Sequence, residues 1–374
     1  MNTQLLDKIS NQKLTTITTK QLDEASQILF DSMNEIDALP SEEEKLNHLK
    51  LRFGFLQNSL LHLAAKFANV DLAEKILKIV GRDFKIINAR NDELFTPLHL
   101  AARVGDPIIT NLLLEFGAET GPQASNENRR WAPIHYAAKF GHTSVIETLI
   151  SYGADKETKT GFGLTPLIIG AEFGQNEVVS LMLELGADKN AKTIEENYNM
   201  NALHYAAIGG FCDLAELLLN YGINPNQETS LGLSALDLAI KSHHSEMVDL
   251  LLFWGVGDLD KAFFIATESK NSDSLKKIKT YLNARKKFFD SKWLRNCESE
   301  LIMELEKCSE ENLGSNNISP LAEAPLNIYG ILALKHRIGF FLKSDETFVG
   351  FCFRKEVKDV ANKIHEIEGM FPKI

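Results

Sequence analysis

Four histidines, His62, His99, His135 and His204, are the residues whose spacing first invites a chemical reading. An imidazole can bind a metal, move a proton or hold a hydrogen bond at each ring nitrogen. A metal centre, however, needs several ligands converging on one point. These histidines recur with the period of a longer repeat, so each sits in a separate unit with no second ligand near it in sequence. No metal and no cofactor is expected. Thiol chemistry is the next option. Cys212, Cys297, Cys308 and Cys352 contain no CxxC pair, which suits reduced thiols in an intracellular protein better than a disulfide or zinc framework. Cys297, Cys308 or Cys352 with His336 or His365 would be the route to a nucleophilic centre, because a triad is defined by geometry and not by chain order. Yet no cysteine stands in a glycine-rich turn, and Cys352 reads as the core residue of a strand. The chain has no P-loop, GxSxG, HExxH or kinase motif. No catalytic residue is expected; the alternative is an enzyme whose C-terminal Cys/His region is carried by the rest of the chain.

The histidines belong to a motif that returns six times: Ser59-Leu60-Leu61-His62, Thr96-Pro97-Leu98-His99, Ala132-Pro133-Ile134-His135, Thr165-Pro166-Leu167-Ile168, Ala202-Leu203-His204 and Ala235-Leu236-Asp237. Counted from the shared aliphatic position, the gaps are 37, 36, 33, 36 and 33 residues. A period near 33 with T-P-L-H-x-A resembles the ankyrin-repeat family, in which each unit is a hairpin loop plus two helices. The local chemistry agrees. Thr96 can cap a helix and Pro97 fits its first position; Leu98, Ala101 and Ala102 form an apolar face, and Gly105 ends the helix. A second helix, with Ile108, Ile109 and Leu112 to Leu114, stops at Gly117, and closing glycines recur at Gly153, Gly186, Gly222 and Gly255. Such units cannot bury enough surface alone and must stack. The resemblance implies that the motif histidine is a structural hydrogen-bonder between units. Ile168 and Asp237 depart from that pattern.

The expected fold is mostly α: an ankyrin-repeat solenoid with a helical N-terminal cap and a small C-terminal α+β element. Residues 1–52 read as the cap, on capping boxes at Thr18 to Gln21 and Ser41 to Glu44. Residues 53–256 hold six repeats, 257–313 a helical extension with a degenerate seventh repeat, and 314–374 the tail. In the tail, Ile338 to Leu342 and Phe348 to Phe353 suggest a β-hairpin, and Val357 to Ile367 an amphipathic helix.

The resemblance implies a protein partner bound on the concave side, at the hairpin tips and the exposed ends of the first helices. The residues this singles out are Phe95, Arg103, Arg129, Arg130, Trp131, Lys139, Phe162 and Tyr198, because Trp, Tyr and Arg often dominate interface energy. Phe140 and Phe173 are expected to pack against the neighbouring unit instead. The longer spacings at 119–130 and 189–200 place added length on the loops of one face.

A net charge of −11 argues against a nucleic-acid coat. The N-terminus lacks a signal-peptide pattern, and Lys335, His336 and Arg337 interrupt the longest apolar run. Residues 276–295 carry eight basic side chains among Phe288, Phe289 and Trp293. That string fits a contact with an anionic membrane, but a solvated basic face is expected because acidic residues follow at 298–311. The reading is a monomeric, non-enzymatic adaptor in the cytoplasm. The Asn-, Ile- and Lys-rich texture and Glu356, Glu366 and Glu368 near the end resemble ankyrin proteins that intracellular bacteria deliver into host cells, which would make the host cytoplasm the site of action; an ordinary cytosolic eukaryotic adaptor is the alternative.

Overall fold

The computed structural model describes residues 3–11, 19–121 and 130–289. Two compact units divide the chain: 1–223 with 228–232, and 224–227 with 233–374. The Cys297, Cys308, Cys352, His336 and His365 candidates, Arg129, Thr18, the acidic run and the α+β tail all lie outside the described residues.

The first unit opens with α1 (Thr3–Ser10), α2 (Thr19–Asp37) and α3 (Glu42–Leu49). Ser41 caps α3 by accepting from the Glu44 backbone N–H at 3.2 Å, as the capping box predicts. Paired helices follow: α4 (Leu60–Lys66) with α5 (Val70–Val80), then, after the short α6 (Phe84–Ile87), α7 (Pro97–Val104) with α8 (Pro107–Glu115). Next come α9 (Pro133–Phe140) with α10 (Thr143–Ser151), α11 (Pro166–Glu172) with α12 (Asn176–Glu184), and α13 (Ala202–Gly209) with α14 (Cys212–Asn220). The helices form two layers, with α4, α7, α9, α11 and α13 side by side in one and α5, α8, α10, α12 and α14 in the other. Helices α2 and α3 lie against α5. The longest spacing between motifs is taken up by α6. Among the described residues there is no strand; an isolated bridge joins Phe53 and Asn58.

The shared aliphatic position is buried in every repeat: Leu61, Leu98, Ile134, Leu167, Leu203 and Leu236. Each such side chain contributes roughly 1.5–3 kcal/mol of transfer free energy. Small residues beside it (Ala64 and Ala65, Ala101 and Ala102, Ala137 and Ala138, Ala206 and Ala207) let neighbouring first helices approach closely.

Directional bonds then fix the register. His62 Nδ1 accepts from the Ser59 backbone N–H at 3.2 Å, and its Nε2 donates to the Phe95 carbonyl of the next repeat at 2.9 Å. His99 repeats the pattern with Thr96 N–H at 3.1 Å and the Trp131 carbonyl at 3.1 Å. His135 does so with Ala132 N–H at 2.9 Å and the Thr158 carbonyl at 2.8 Å. Because Nδ1 faces a backbone N–H, the ring proton must sit on Nε2. Thr96 and His99 close a capping box at the start of α7, with the Thr96 hydroxyl 2.9 Å from His99 Nδ1. A second set of bonds joins the far ends of the first helices. His142 Nε2 donates to the Arg103 carbonyl at 3.2 Å, and Gln175 Nε2 to the Lys139 carbonyl at 3.1 Å. Gly105 and Gly141 make room for these side chains: both are left-handed, and a Cβ at either would strike His142 or Gln175.

The second unit contains α15 (Ala235–Lys241), α16 (Ser245–Phe253), α17 (Leu259–Glu268) and α18 (Ser272–Phe289). Helix α15 packs on α16 and α17, and α18 on α16 and α17. Here Asp237 stands at the histidine position. Its Oδ2 accepts from the Ser234 N–H at 2.9 Å and pairs with Lys261 on α17 at 3.1 Å. A carboxylate cannot donate across the repeat, so the next helix supplies a cation instead. In α18, Lys277 is held by the Ser245 carbonyl at 3.0 Å and by Asp249 at 2.6 Å, which spends one of the basic residues on packing.

Burial outweighs the backbone hydrogen bonds and pulls His62 and His135 from near 6.5 down to about 4. The folded state therefore binds fewer protons than the unfolded chain between these values. Stability should be complete above pH 6.5 and fall as pH drops toward 4, by about 3 kcal/mol for each ring. Urea melts of wild type and His135→Gln across this window test it: the variant should show a shallower acid loss, and identical pH slopes would contradict it.

Candidate partner-binding surface

Each hairpin tip in the array has a residue in the left-handed region at the same register, Gln57, Leu94, Arg130, Gly163, Asn199 and Gly232, and at the fifth tip Tyr198 is left-handed as well. Glycine adopts this conformation freely, whereas a side chain such as Leu94 costs roughly 1 kcal/mol there. The turn sets which way its neighbours point. The residue before it stands out from the tip, as Phe162, Tyr198 and Leu231 do. The residue after it folds inward, as Phe95, Trp131 and Leu164 do.

That rule corrects the placement of Phe95 and Trp131, which the sequence reading put on the exposed tips. Trp131 is only 9% exposed and Phe95 is buried. Both rings meet Tyr136, at centroid distances of 5.3 Å for Phe95 and 5.1 Å for Trp131. They form an aromatic floor under the surface. Arg130 occupies the turn itself and is exposed.

Above the floor, the ends of the first helices carry a mixed row of cations and rings. Lys139 Nζ lies 5.5 Å from the Trp131 ring, 5.6 Å from Phe140 and 4.4 Å from Phe173 in the following repeat. The Arg103 guanidinium lies 6.0 Å from Phe140. Each basic residue thus reaches the ring one repeat further on, an attraction of about 0.5–1 kcal/mol at partly exposed sites. Burial first, and the Arg103 charge second, pull Lys66 in the first repeat down to about 8. Phe140 and Phe173, expected to pack against the neighbouring unit, do meet the cation of the preceding repeat and also remain 37% and 38% exposed.

The tips are joined to one another through backbone bonds. Asp92 N–H donates to the Leu56 carbonyl at 3.0 Å, Ile194 N–H to Phe162 at 3.2 Å and Ser230 N–H to Tyr198 at 2.9 Å. This linkage lines up Phe162, Ile194, Tyr198 and Leu231 as an exposed crest, with Tyr198 47% and Leu231 64% exposed. The added length before Tyr198 is ordered. Thr193 Oγ1 donates to the Asn197 carbonyl at 2.8 Å, and Asn197 Nδ2 donates to Tyr205 Oη on α13 at 2.8 Å. Burial, then the Glu172 charge, pushes the Tyr205 phenol up to about 12, so it stays protonated in this network.

Of the residues proposed from sequence, Arg103, Arg130, Lys139, Phe162 and Tyr198 stand on the surface, Phe95 and Trp131 lie beneath it, and Arg129 is outside the described residues. Ile194 and Leu231 were missed, and Phe140 and Phe173 were named only as packing residues. For Leu231 a signal existed, since Leu231-Gly232-Leu233-Ser234 has the register of Phe162-Gly163-Leu164-Thr165. No group of three or more potential metal ligands converges among the described residues, and no helix among them is long and apolar enough to cross a membrane.

The chain belongs to the ankyrin-repeat family. The family model for ankyrin repeats in three copies matches residues 60–160, 120–193 and 192–262, more than half of the chain. Ankyrin repeats are protein–protein interaction modules and typically carry no enzymatic activity of their own. No curated protein matches the chain.

The division between floor and surface is measurable. Trp131→Ala should cost about 3 kcal/mol of stability, as other buried large-to-small changes do, and Phe173→Ala under ~1 kcal/mol. Equal losses in urea denaturation would show that the two rings do not differ in role.

Proposed function

We propose that the first unit binds a protein partner through the cation–aromatic row of Arg103, Lys139, Phe140 and Phe173 and the crest of Phe162, Tyr198 and Leu231. The single observation that carries this reading is the exposure of a ring or an aliphatic side chain at successive tips and helix ends of one layer, where a monomeric surface would carry polar groups. Single exposed apolar residues need no explanation, but a contiguous set marks an interaction site. The basic residues among the rings favour a partner whose contact surface is acidic at its rim and apolar at its centre.

The test compares wild type with Phe173→Ala/Tyr198→Ala and with Lys139→Glu as affinity baits in eukaryotic lysate. Proteins held by wild type should be lost from both variants while their melting curves stay within a few degrees of wild type. Recovery of the same proteins at the same level by all three baits would remove this surface from consideration.

A finer reading concerns where the protein acts. The Asn-, Ile- and Lys-rich texture and the acidic residues Glu356, Glu366 and Glu368 support delivery from an intracellular bacterium into the eukaryotic host cytoplasm. A translocation reporter fused to the chain should lose its signal when residues 355–374 are removed. An unchanged signal would contradict delivery through that segment.

A further inference from the structure

In the first repeat the surface just described is already filled, and the filling segment is the chain's own N-terminus. Lys66 stands at the register of Arg103 and Lys139, five residues past the shared aliphatic position. Unlike them it is buried. Its ammonium donates to the Ser10 carbonyl at 2.7 Å and the Ile9 carbonyl at 3.3 Å, the last carbonyls of α1. Those are the groups a helix C-terminus leaves unpaired, and they carry the negative end of its dipole. The tip loop of the same repeat is engaged as well. Gly54 N–H donates to Asp7 Oδ1 at 2.6 Å, and Phe55 N–H to Asn11 Oδ1 at 2.6 Å. Ser10 Oγ donates to the Phe53 carbonyl at 2.8 Å and accepts from Asn58 Nδ2 at 3.0 Å. Leu6 and Ile9, one turn apart on α1, are fully buried, and α1 also packs on α2. Helix α1 thus touches both parts of a repeat's surface, the basic residue at the helix end and the tip.

We infer that the face of the first repeat is a binding site for the C-terminal turn of an amphipathic α-helix, and that residues 3–11 are its resident ligand. The ligand chemistry is legible from the contacts: two apolar residues at i and i+3, an acidic residue between them, a hydroxyl at the last position and an amide just beyond. An eight-residue helix is marginal alone in water; its hydrogen bonds to the first repeat and its contact with α2 hold it. A segment tethered in this way competes at an effective concentration on the order of millimolar. A partner that spans the whole layer therefore has to displace α1 or stop at the second repeat. This inference extends the binding surface proposed above, but its test needs no partner, so its failure would leave that proposal standing.

The full chain with Leu6→Asp and Ile9→Asp unseats α1 without removing any residue. The probe is a synthetic peptide of residues 3–11 bearing an N-terminal fluorophore, followed by anisotropy. The peptide should bind the unseated chain, bind wild type at least ~10-fold more weakly because the site is occupied, and lose binding when Lys66→Met is added. In wild type, amides of residues 3–11 should exchange with deuterium ahead of those in α4 and α5. The inference is overturned if the peptide binds neither chain or both equally, if Lys66→Met has no effect, or if residues 3–11 exchange only with global unfolding. It is also overturned if the double variant loses its cooperative helical melt, since α1 would then be a structural part of the stack and not a ligand.

Discussion

The architecture depends on a neutral imidazole placed between two repeats. In His62, His99 and His135 one ring nitrogen closes the start of its own helix and the other crosses to a carbonyl of the following unit. Hydrophobic contact alone would let stacked helix pairs slide, since burial has no direction. A buried ring with both nitrogens occupied gives each interface one register, because a slip would leave a donor and an acceptor unpaired at a cost of about 1–3 kcal/mol each. The same occupancy leaves no lone pair for a metal, so the period of these histidines has a structural cause. Where the ring is replaced the physics changes: Ile168 fills the space with apolar surface, and Asp237 draws Lys261 across instead.

Fixed register is what turns separate helix ends into a surface. His142 and Gln175 hold the first helices together at their far ends, so Arg103, Lys139, Phe140 and Phe173 keep constant spacing. Backbone bonds between tips do the same for Phe162, Tyr198 and Leu231. The aromatic floor of Phe95, Tyr136 and Trp131 supports the row from below. Preorganised side chains lose less entropy when a partner arrives, which favours binding without any added contact.

Much of this was legible in the sequence because the repeat is a local, periodic signal. The motif positions, the helix pairs and the closing glycines follow from spacing and helix-end chemistry. Side-chain direction at the tips was harder. Trp131 and Phe95 look like tip residues until the left-handed turn before them is known, and in Leu94 or Arg130 nothing in the residue type announces that turn. Phe140 and Phe173 were read as packing on the neighbouring unit; each does meet a cation of the preceding repeat, and the part of the ring left exposed is what residue type does not reveal. The seat of α1 was out of reach altogether. It joins Asp7 to Gly54 and Ser10 to Lys66, contacts between residues far apart in sequence that no period encodes.

The central claim, that neutral imidazoles lock the repeats, is tested most directly by nitrogen NMR of the histidine side chains in the full chain at pH 5. His62 and His135 should show an unprotonated Nδ1 and a protonated Nε2, the neutral form in which one nitrogen accepts and the other donates. Imidazolium signals from these two rings, or a proton on Nδ1, would contradict the account.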